Sequence, residues 1–317
     1  MKQIITIYIT LSIFIASLHT IKPQQFVYET SLFSWSTEQV YAEGFTDLLD
    51  ILSMNNINSS YQYFSDEMII NMQPKDYIKK LNEENILTYY LSGNPSWATE
   101  RRNKSMRGKI KLIAEYNEKV TEDEKFAGIV FDVEPYLLSD WSSDKDNIMT
   151  KFLENMIDAY DYAENFNLTI IVCIPYWFDN NYYEILEDLT MKACDKIAVM
   201  NYYRNKEINN MRNEVDLCRK YGKSIICISE LQPPDSDSVP ESITYFSFGL
   251  NVLWRMWNQI YSYFDYTDMG FSYHYYKPLK NCIDIIQAAY IPITINKKPY
   301  IHKVQYSDGL LFTESLY

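Results

Sequence analysis

Two carboxylates follow a buried-looking run of residues and could do acid–base chemistry. Residues 126–131 are apolar or small, and Asp132, Val133, Glu134 and Pro135 come directly after them. Side chains alternate along a strand, so Asp132 and Glu134 are predicted to share one face. Such a pair could act on a glycosidic bond, because one acid protonates the leaving oxygen while the other stabilises or attacks the anomeric carbon. A buried ion-pair network is the structural alternative.

The run before the acids predicts a strand that is covered on both faces. Its apolar, β-branched and aromatic residues are typical of strands in parallel sheets. Pro135 ends the strand, because proline lacks the N–H that a ladder needs. Parallel α/β folds place their chemistry at the carboxyl ends of their strands, so the acids are predicted to lie at that end.

The rest of the chain alternates strand-like and helix-like segments eight times. The predicted strands cover residues 26–35, 57–64, 86–91, 126–134, 168–174, 196–201, 223–229 and 269–276. The predicted helices cover residues 37–54, 65–81, 106–120, 146–165, 182–193, 208–221, 243–264 and 283–289. This order predicts an α/β fold, a single-domain (β/α)8 TIM barrel over residues 24–290. An open doubly wound sheet is the alternative, although no Gly-rich phosphate loop follows any predicted strand.

Both ends of the chain are predicted to lie outside the barrel. Lys2 and the short apolar run after it predict a secretory signal peptide over residues 1–20, too short for a comfortable membrane span. An uncleaved anchor is the alternative. Residues 291–317 predict an extended C-terminal segment, either an added strand pair or a loose tail. We therefore expect a secreted or extracytoplasmic protein without membrane contact beyond the signal.

Composition narrows the expected partners. The formal net charge is −13, which argues against nucleic acid, because that partner needs a basic face. The 29 Tyr and 6 Trp favour sugars, on which aromatic rings stack, although an AT-rich genome gives the same bias. Three His and five Cys, without zinc-like spacing, predict no metal and no cofactor. We expect an oligosaccharide or polysaccharide partner, and the oligomeric state stays open.

Further candidate residues lie near other predicted strand ends. Tyr202 follows the sixth strand and Glu230 the seventh, so both are candidate catalytic residues beside Asp132 and Glu134. Candidate sugar-binding residues have aromatic or hydrogen-bonding side chains, and they are Tyr90, Trp97, Tyr136, Trp177, Asn201 and His274. The structural alternatives are core packing for Tyr202, a paired or solvent-facing carboxylate for Glu230, and a satisfied polar side chain for His274.

Two stretches of the sequence, residues 126–134 and 200–203, resemble motifs of glycoside hydrolase family 18, the chitinase-like barrels. That family has DGxDxDxE on its fourth strand and Met-x-Tyr-Asp on its sixth. The resemblance implies that Glu134 is the proton donor and that Asp132 orients the N-acetyl group of the substrate and steadies the intermediate. It also implies that Tyr202 hydrogen-bonds the carbonyl of that group.

Three positions depart from the family pattern. Ala127 and Val130 stand where the family has aspartates, and Tyr203 stands where the sixth strand has one. The change at Val130 removes a charge that helps to set the pKa of the neighbouring acid. Two other functions therefore stay open beside hydrolysis by that route. One is a lectin-like barrel that binds glycans without cleaving them, and the other is a retaining glycosidase with Glu134 as acid and Glu230 as nucleophile. A purely structural secreted barrel is the remaining possibility.

Overall fold

The computed structural model of the chain describes residues 28–235, 238–290, 304–307 and 310–313. Eight parallel strands in this part of the chain close into a barrel in sequence order, with β8 pairing to β1. The predicted (β/α)8 barrel is therefore confirmed, and the open sheet is wrong. The barrel strands are β1 (Glu29–Ser34), β2 (Ser59–Gln62), β3 (Leu87–Ser92), β4 (Gly128–Phe131), β5 (Thr169–Pro175), β6 (Lys196–Met200), β7 (Ser224–Glu230) and β8 (Met269–His274).

Helices connect consecutive strands, as the alternating pattern predicts. Ser65 begins one of them, since its side chain accepts a hydrogen bond from the backbone N–H of Met68 at 3.2 Å. Gly222 ends another in the left-handed conformation, with φ at +64°. The helices are α1 (Ala42–Met54), α2 (Asp66–Ile70), α3 (Lys75–Glu83), α4 (Lys104–Asn117), α5 (Trp141–Glu164), α6 (Phe178–Lys192), α7 (Glu207–Asn210), α8 (Arg212–Tyr221), α9 (Leu250–Phe264) and α10 (Tyr276–Tyr290).

Several helix boundaries differ from the prediction, those of the first and last helices among them. The helix predicted from residue 37 begins later, at Ala42, because Thr37 makes no side-chain capping bond and precedes only a short 3-10 turn, Glu38–Val40. The last helix, α10, begins directly after β8 instead of at residue 283. Pro278 lies in its first turn, where the missing N–H would have no helical partner anyway.

Alternation along β4 divides its side chains between two cores. Val130 is buried inside the barrel, together with Leu91 and Ile171 from the neighbouring strands. Ile129 and Phe131 are buried in the outer core, which contains residues of both the strands and the helices. The inward face of β4 is therefore the one that Asp132 and Glu134 would continue.

Close backbone packing fixes the chain where β4 ends. The backbone N–H of Asp132 donates to the carbonyl of Ser92 at 3.0 Å, one residue beyond the regular strand. A Cβ atom at Gly93 would lie only 1.9 Å from the carbonyl oxygen of Asp132. Only glycine allows the two backbones to approach this closely, so the β3 loop holds the position of the first acid.

The chain ends are described only in part. Residues 304–307 and 310–313 form an antiparallel pair, β9 (Val304–Ser307) and β10 (Leu310–Thr313), and the C-terminal segment over residues 291–317 as a whole stays a prediction. The predicted signal peptide over residues 1–20 lies outside the described residues and stays a prediction. Within the described part of the chain, no helix combines the length and apolar character needed to cross a bilayer.

Candidate active site

A cavity of about 120 Å³ lies where the predicted acids leave β4. The polar wall is formed by Asp132 and Glu134, with Tyr202 after β6 and His274 at the end of β8. The remaining wall is apolar or weakly polar and consists of Phe33, Cys173, Met200 and Ile228. Four of the predicted site residues therefore meet in one place.

Asp132 is the carboxylate whose protonation the site perturbs most clearly. Burial raises its pKa from 3.8 to about 7, and the charge of Glu134 adds to the rise, while His274 and the thiol of Cys173 partly offset it. Its Oδ1 atom is buried and has no hydrogen-bond partner among the described residues. Near neutral pH Asp132 can therefore hold or release a proton, as an acid–base group must.

Glu134 is held by an aromatic neighbour that follows it in sequence. The hydroxyl of Tyr136 donates a hydrogen bond to Oε2 of Glu134. Burial, followed by the negative charge of Glu134, raises the pKa of Tyr136, so the phenol stays protonated and remains a donor. The Tyr136 ring packs edge-on against Trp177, with ring centroids 5.3 Å apart. One predicted sugar-binding residue, Tyr136, thus contacts the predicted proton donor, and a second, Trp177, packs on Tyr136; neither lines the cavity.

Glu230 lies behind His274 and is almost completely buried, with an exposed fraction of 3%. Its Oε2 atom lies 2.8 Å from Nδ1 of His274, and its Oε1 atom accepts from the backbone N–H groups of Leu231 and Gln232 at 2.8 and 2.7 Å. Burial alone would raise the pKa of Glu230, but the bonds from His274 and Gln232 bring it below its ordinary value. Glu230 is therefore an ionised carboxylate that faces His274, and it is not among the residues that line the cavity.

Tyr202 completes the contacts around the imidazole. Its ring stacks on His274 with centroids 5.5 Å apart and planes inclined by 27°. Burial raises the pKa of Tyr202 well above its usual range, and the charge of Glu230 raises it further. The Tyr202 hydroxyl therefore stays protonated and can donate a hydrogen bond to a molecule in the cavity.

Two predicted sugar-binding residues, Tyr90 and Asn201, do not line the cavity, because both side chains point out of the barrel. Tyr90 is fully buried in the outer core against Phe126, while its neighbour Tyr89 points inward. Asn201 is buried as well, and its amide donates to the carbonyl of Glu207 at 3.0 Å. Side chains alternate along a strand, so the inward residues of β3 and β6 are the ones next to these two.

The prediction for Trp97 is not supported by its position. It lies in a short 3-10 helix after β3, Pro95–Thr99, and packs against the outer core rather than lining the cavity. The ammonium group of Lys109 lies 6.0 Å from its ring centroid. Such a contact covers part of the ring that a sugar would need.

Cys173, Met200 and Ile228 are cavity residues that the sequence reasoning missed. Met200 stands two residues before Tyr202, so the same strand alternation could have found it. Cys173 lies on β5 and Ile228 on β7, two strands for which the sequence did not indicate which side chains point into the barrel. All five cysteines are free and buried. Within the described residues, no three His, Cys, Asp or Glu side chains are grouped in a way that could hold a metal ion.

A wider cleft of about 840 Å³ also has His274 among its lining residues. Trp35 and Tyr275 give the cleft aromatic surface, and Gln39 and Lys277 give it polar surface.

Comparison with known proteins finds similarity in structure only. No known protein family and no curated protein matches the chain by sequence. A xylose isomerase domain protein from Planctomyces limnophilus has 12% identity and a TM-score of 0.53, over 83% of this chain and 95% of that one. A chitinase from Chromobacterium violaceum has 12% identity and a TM-score of 0.48, over 81% and 98%. A GH18 chitinase from Pseudoalteromonas aurantia has 11% and 0.47, over 82% and 99%. At this identity the likeness to the xylose isomerase domain protein shows the barrel fold alone.

Proposed function

We propose that this chain is a secreted glycoside hydrolase-like protein that acts on glycans at the carboxyl-end mouth of its barrel, with Glu134 as proton donor. The observation that supports it is the meeting of Asp132, Glu134 and Tyr202 in one cavity, where Asp132 has a pKa of about 7. Perturbed carboxyl groups in a cleft are candidates for acid–base work. The similarity of the motifs to chitinase-like barrels adds the class of substrate.

In this proposal the two acids and two tyrosines each have one role. Asp132 and Glu134 share one proton in the resting site, because two like charges side by side disfavour each other. This proton moves to Glu134, which gives it to the leaving glycosidic oxygen while the bond from that oxygen to the anomeric carbon breaks, and Asp132 is left as a carboxylate. Asp132 stabilises the positive charge that develops at the anomeric carbon. Tyr202 donates a hydrogen bond to an oxygen of the sugar that occupies the cavity, and Tyr136 holds the carboxyl group of Glu134 in place.

The second candidate function is glycan binding without cleavage. Val130 is completely buried inside the barrel, at a position where chitinase-like barrels have an acid. This apolar environment helps to keep Asp132 protonated, and a protonated Asp132 stabilises developing positive charge poorly. The lectin-like function predicts that glycans bind but are not hydrolysed.

The contacts of Glu230 disfavour the third function, a retaining glycosidase with Glu230 as nucleophile. Its carboxylate is bonded to His274 and to two backbone N–H groups, and a nucleophile must instead reach the anomeric carbon. The distance between the carboxyl groups of Glu134 and Glu230 in a glycan complex would test it, since about 5–5.5 Å is required.

Glu134→Gln tests the proposed function. The full chain is incubated with the N-acetylglucosamine tetramer and with cellotetraose, and products are followed by mass spectrometry. We expect the variant to lose at least about 100-fold in turnover and to keep its glycan affinity, because the amide cannot donate the proton. Asp140→Asn is the matched control, since Asp140 is exposed on the loop that follows Glu134.

Each outcome of that experiment selects one function. Turnover that survives Glu134→Gln contradicts Glu134 as the donor. Binding of either glycan by the unchanged chain, without any product, selects the lectin-like function. No binding and no product leave a structural barrel.

A further inference from the structure

The pair formed by Glu230 and His274 stands on the side of the barrel opposite the acids. In the closed order β1 to β8, strand β8 is four strands from β4 in either direction. His274 at the end of β8 and Glu134 after β4 line the same cavity. A sugar held between them would therefore have a carboxyl group on one side and an imidazole on the other.

We propose that Glu230 and His274 form a carboxylate–imidazole dyad, in which His274 is the general base that takes a proton from the attacking water. The inference rests on the proposed function, which supplies Glu134 as the acid, and it adds the stereochemical course of the reaction. Glu230 acts through His274 and is a positioning residue. The substrate class stays that of the proposed function, a glycan.

The carboxylate of Glu230 is fixed more firmly than a surface group. Its hydrogen bonds from the backbone N–H groups of Leu231 and Gln232 do not depend on a side-chain rotamer. The side-chain amide of Gln232 adds a contact to Oε2 at 3.2 Å. In the strand register, Glu230 of β7 is paired with His274 of β8, which brings the two side chains together. A carboxylate held in this way fixes the orientation of the imidazole that it contacts.

The contacts of the imidazole decide which nitrogen can do chemistry. Nδ1 lies 2.8 Å from Glu230, an ionised acceptor, so a neutral His274 keeps its proton on Nδ1. The Tyr202 ring stacks on the imidazole, and Phe33 packs edge-on with centroids 6.2 Å apart. Nε2 is then the nitrogen that can meet a molecule in the cavity, and it has a lone pair to accept a proton.

The reaction balances without a cofactor. Glu134 gives a proton to the leaving oxygen as the glycosidic bond breaks, and the oxygen of a water molecule forms the new bond to the anomeric carbon. Nε2 of His274 takes one proton from that water, and Glu230 stabilises the resulting imidazolium. Solvent then returns a proton to Glu134 and removes one from His274. Because the water enters on the face opposite the leaving group, the product has inverted configuration.

Other charged groups around the imidazole must be considered in any pH profile. Asp132 and Glu134 face it across the cavity, Glu230 bonds to it, and the phenol of Tyr202 stacks on it. Of the residues that line the cavity, His274 is the one that can become a cation. A proton on Nε2 would occupy the lone pair that the base needs.

NMR of the histidine nitrogens tests the dyad without any glycan. The chain has only 3 His, so His274→Gln assigns the signal of His274 by its disappearance. We expect neutral His274 to carry its proton on Nδ1 in the unchanged chain and in Glu230→Gln, whose amide oxygen can still accept. In Glu230→Ala the proton should move toward Nε2. A neutral His274 protonated on Nε2 in the unchanged, full-length chain overturns the dyad.

Product stereochemistry tests the chemical role. With the tetramer that is cleaved, proton NMR of the first product should show the inverted anomer, and a retained anomer overturns the proposal.

His274→Ala should lose at least about 100-fold in kcat with little change in KM, and added imidazole should restore part of the lost kcat. A purely structural His274 would not respond to imidazole. Full turnover in His274→Ala, with none in Glu134→Gln, refutes the dyad and keeps the proposed function. If neither tetramer is cleaved, the hydrolytic role fails with the proposed function, and the proton position alone decides whether the dyad exists.

Discussion

Asp132→Asn separates a functional carboxylate from a structural one. Burial and the nearby charge of Glu134 hold the pKa of Asp132 at about 7, so the fold disfavours its ionised form. Asparagine has nearly the same shape and no charge to bury. A carboxylate that served as a structural ion pair would have the opposite effect, because its removal would leave a partner charge unpaired.

The sign of the pH dependence follows from the raised pKa. Between pH 3.8 and about 7, the folded chain binds the proton of Asp132 more tightly than the unfolded chain does. Stability therefore falls as the pH rises through this window, and the full cost is present above pH 7. At about 1.4 kcal/mol for each pKa unit, this cost is about 4 kcal/mol. Solvent reaches the half-buried side chain through the cavity, so a measured difference of about 2 kcal/mol is expected.

Urea unfolding at several pH values measures this difference. We expect Asp132→Asn to match the unchanged chain near pH 3.5 and to be more stable by about 2 kcal/mol at pH 8. Turnover should fall in the same variant, since stability and activity often oppose each other at a strained site. Asp140→Asn, on an exposed carboxyl group, should show no such trend. If Asp132→Asn is less stable at pH 8 than at pH 3.5, relative to the unchanged chain, the reasoning is refuted.

Two further perturbations test the packing. Gly93→Ala should unfold the mouth of the barrel or abolish soluble expression, because its Cβ would lie 1.9 Å from the carbonyl oxygen of Asp132. The control Gly108→Ala, whose Cβ would meet no atom within 4 Å, should add up to about 1 kcal/mol of stability. Equal thermal stability of the two variants would contradict this prediction. Glu214→Gln should be more stable than the unchanged chain, and the gain should grow between pH 4.5 and about 8, because burial raises the pKa of Glu214 to about 8. Urea unfolding at pH 5 and pH 9 measures that gain, and a gain that does not change with pH would count against a charged Glu214 above pH 8.

Local periodicity in the sequence was enough to predict the barrel. Each strand and helix has its own hydrophobic repeat, and eight strand–helix units in order leave few other folds. The same reasoning placed Asp132 and Glu134 on one face, because side chains two residues apart on an extended chain point the same way. Even there the regular strand ends at Phe131, and the acids lie in the extended residues that follow.

Other features of the site were decided by contacts between distant segments. Two adjacent tyrosines on β3 look alike in sequence, and only the direction of the strand in the closed barrel turns Tyr89 inward and Tyr90 outward. The side-chain amide of Asn201 likewise donates a hydrogen bond to the carbonyl of Glu207, and no sequence motif predicts this contact.

The sequence alone determined the barrel and the paired acids, since both follow from repeats that span a few residues. The tertiary structure alone decided that Glu230 meets His274, that Glu230 is withdrawn from the cavity, and that the imidazole faces the acids from the opposite wall. These contacts join residues 44 positions apart and depend on strand register and on the closure of the barrel. Strand register and barrel closure cannot be read from the side-chain alternation of a single strand, because both are set by how all eight strands pack together.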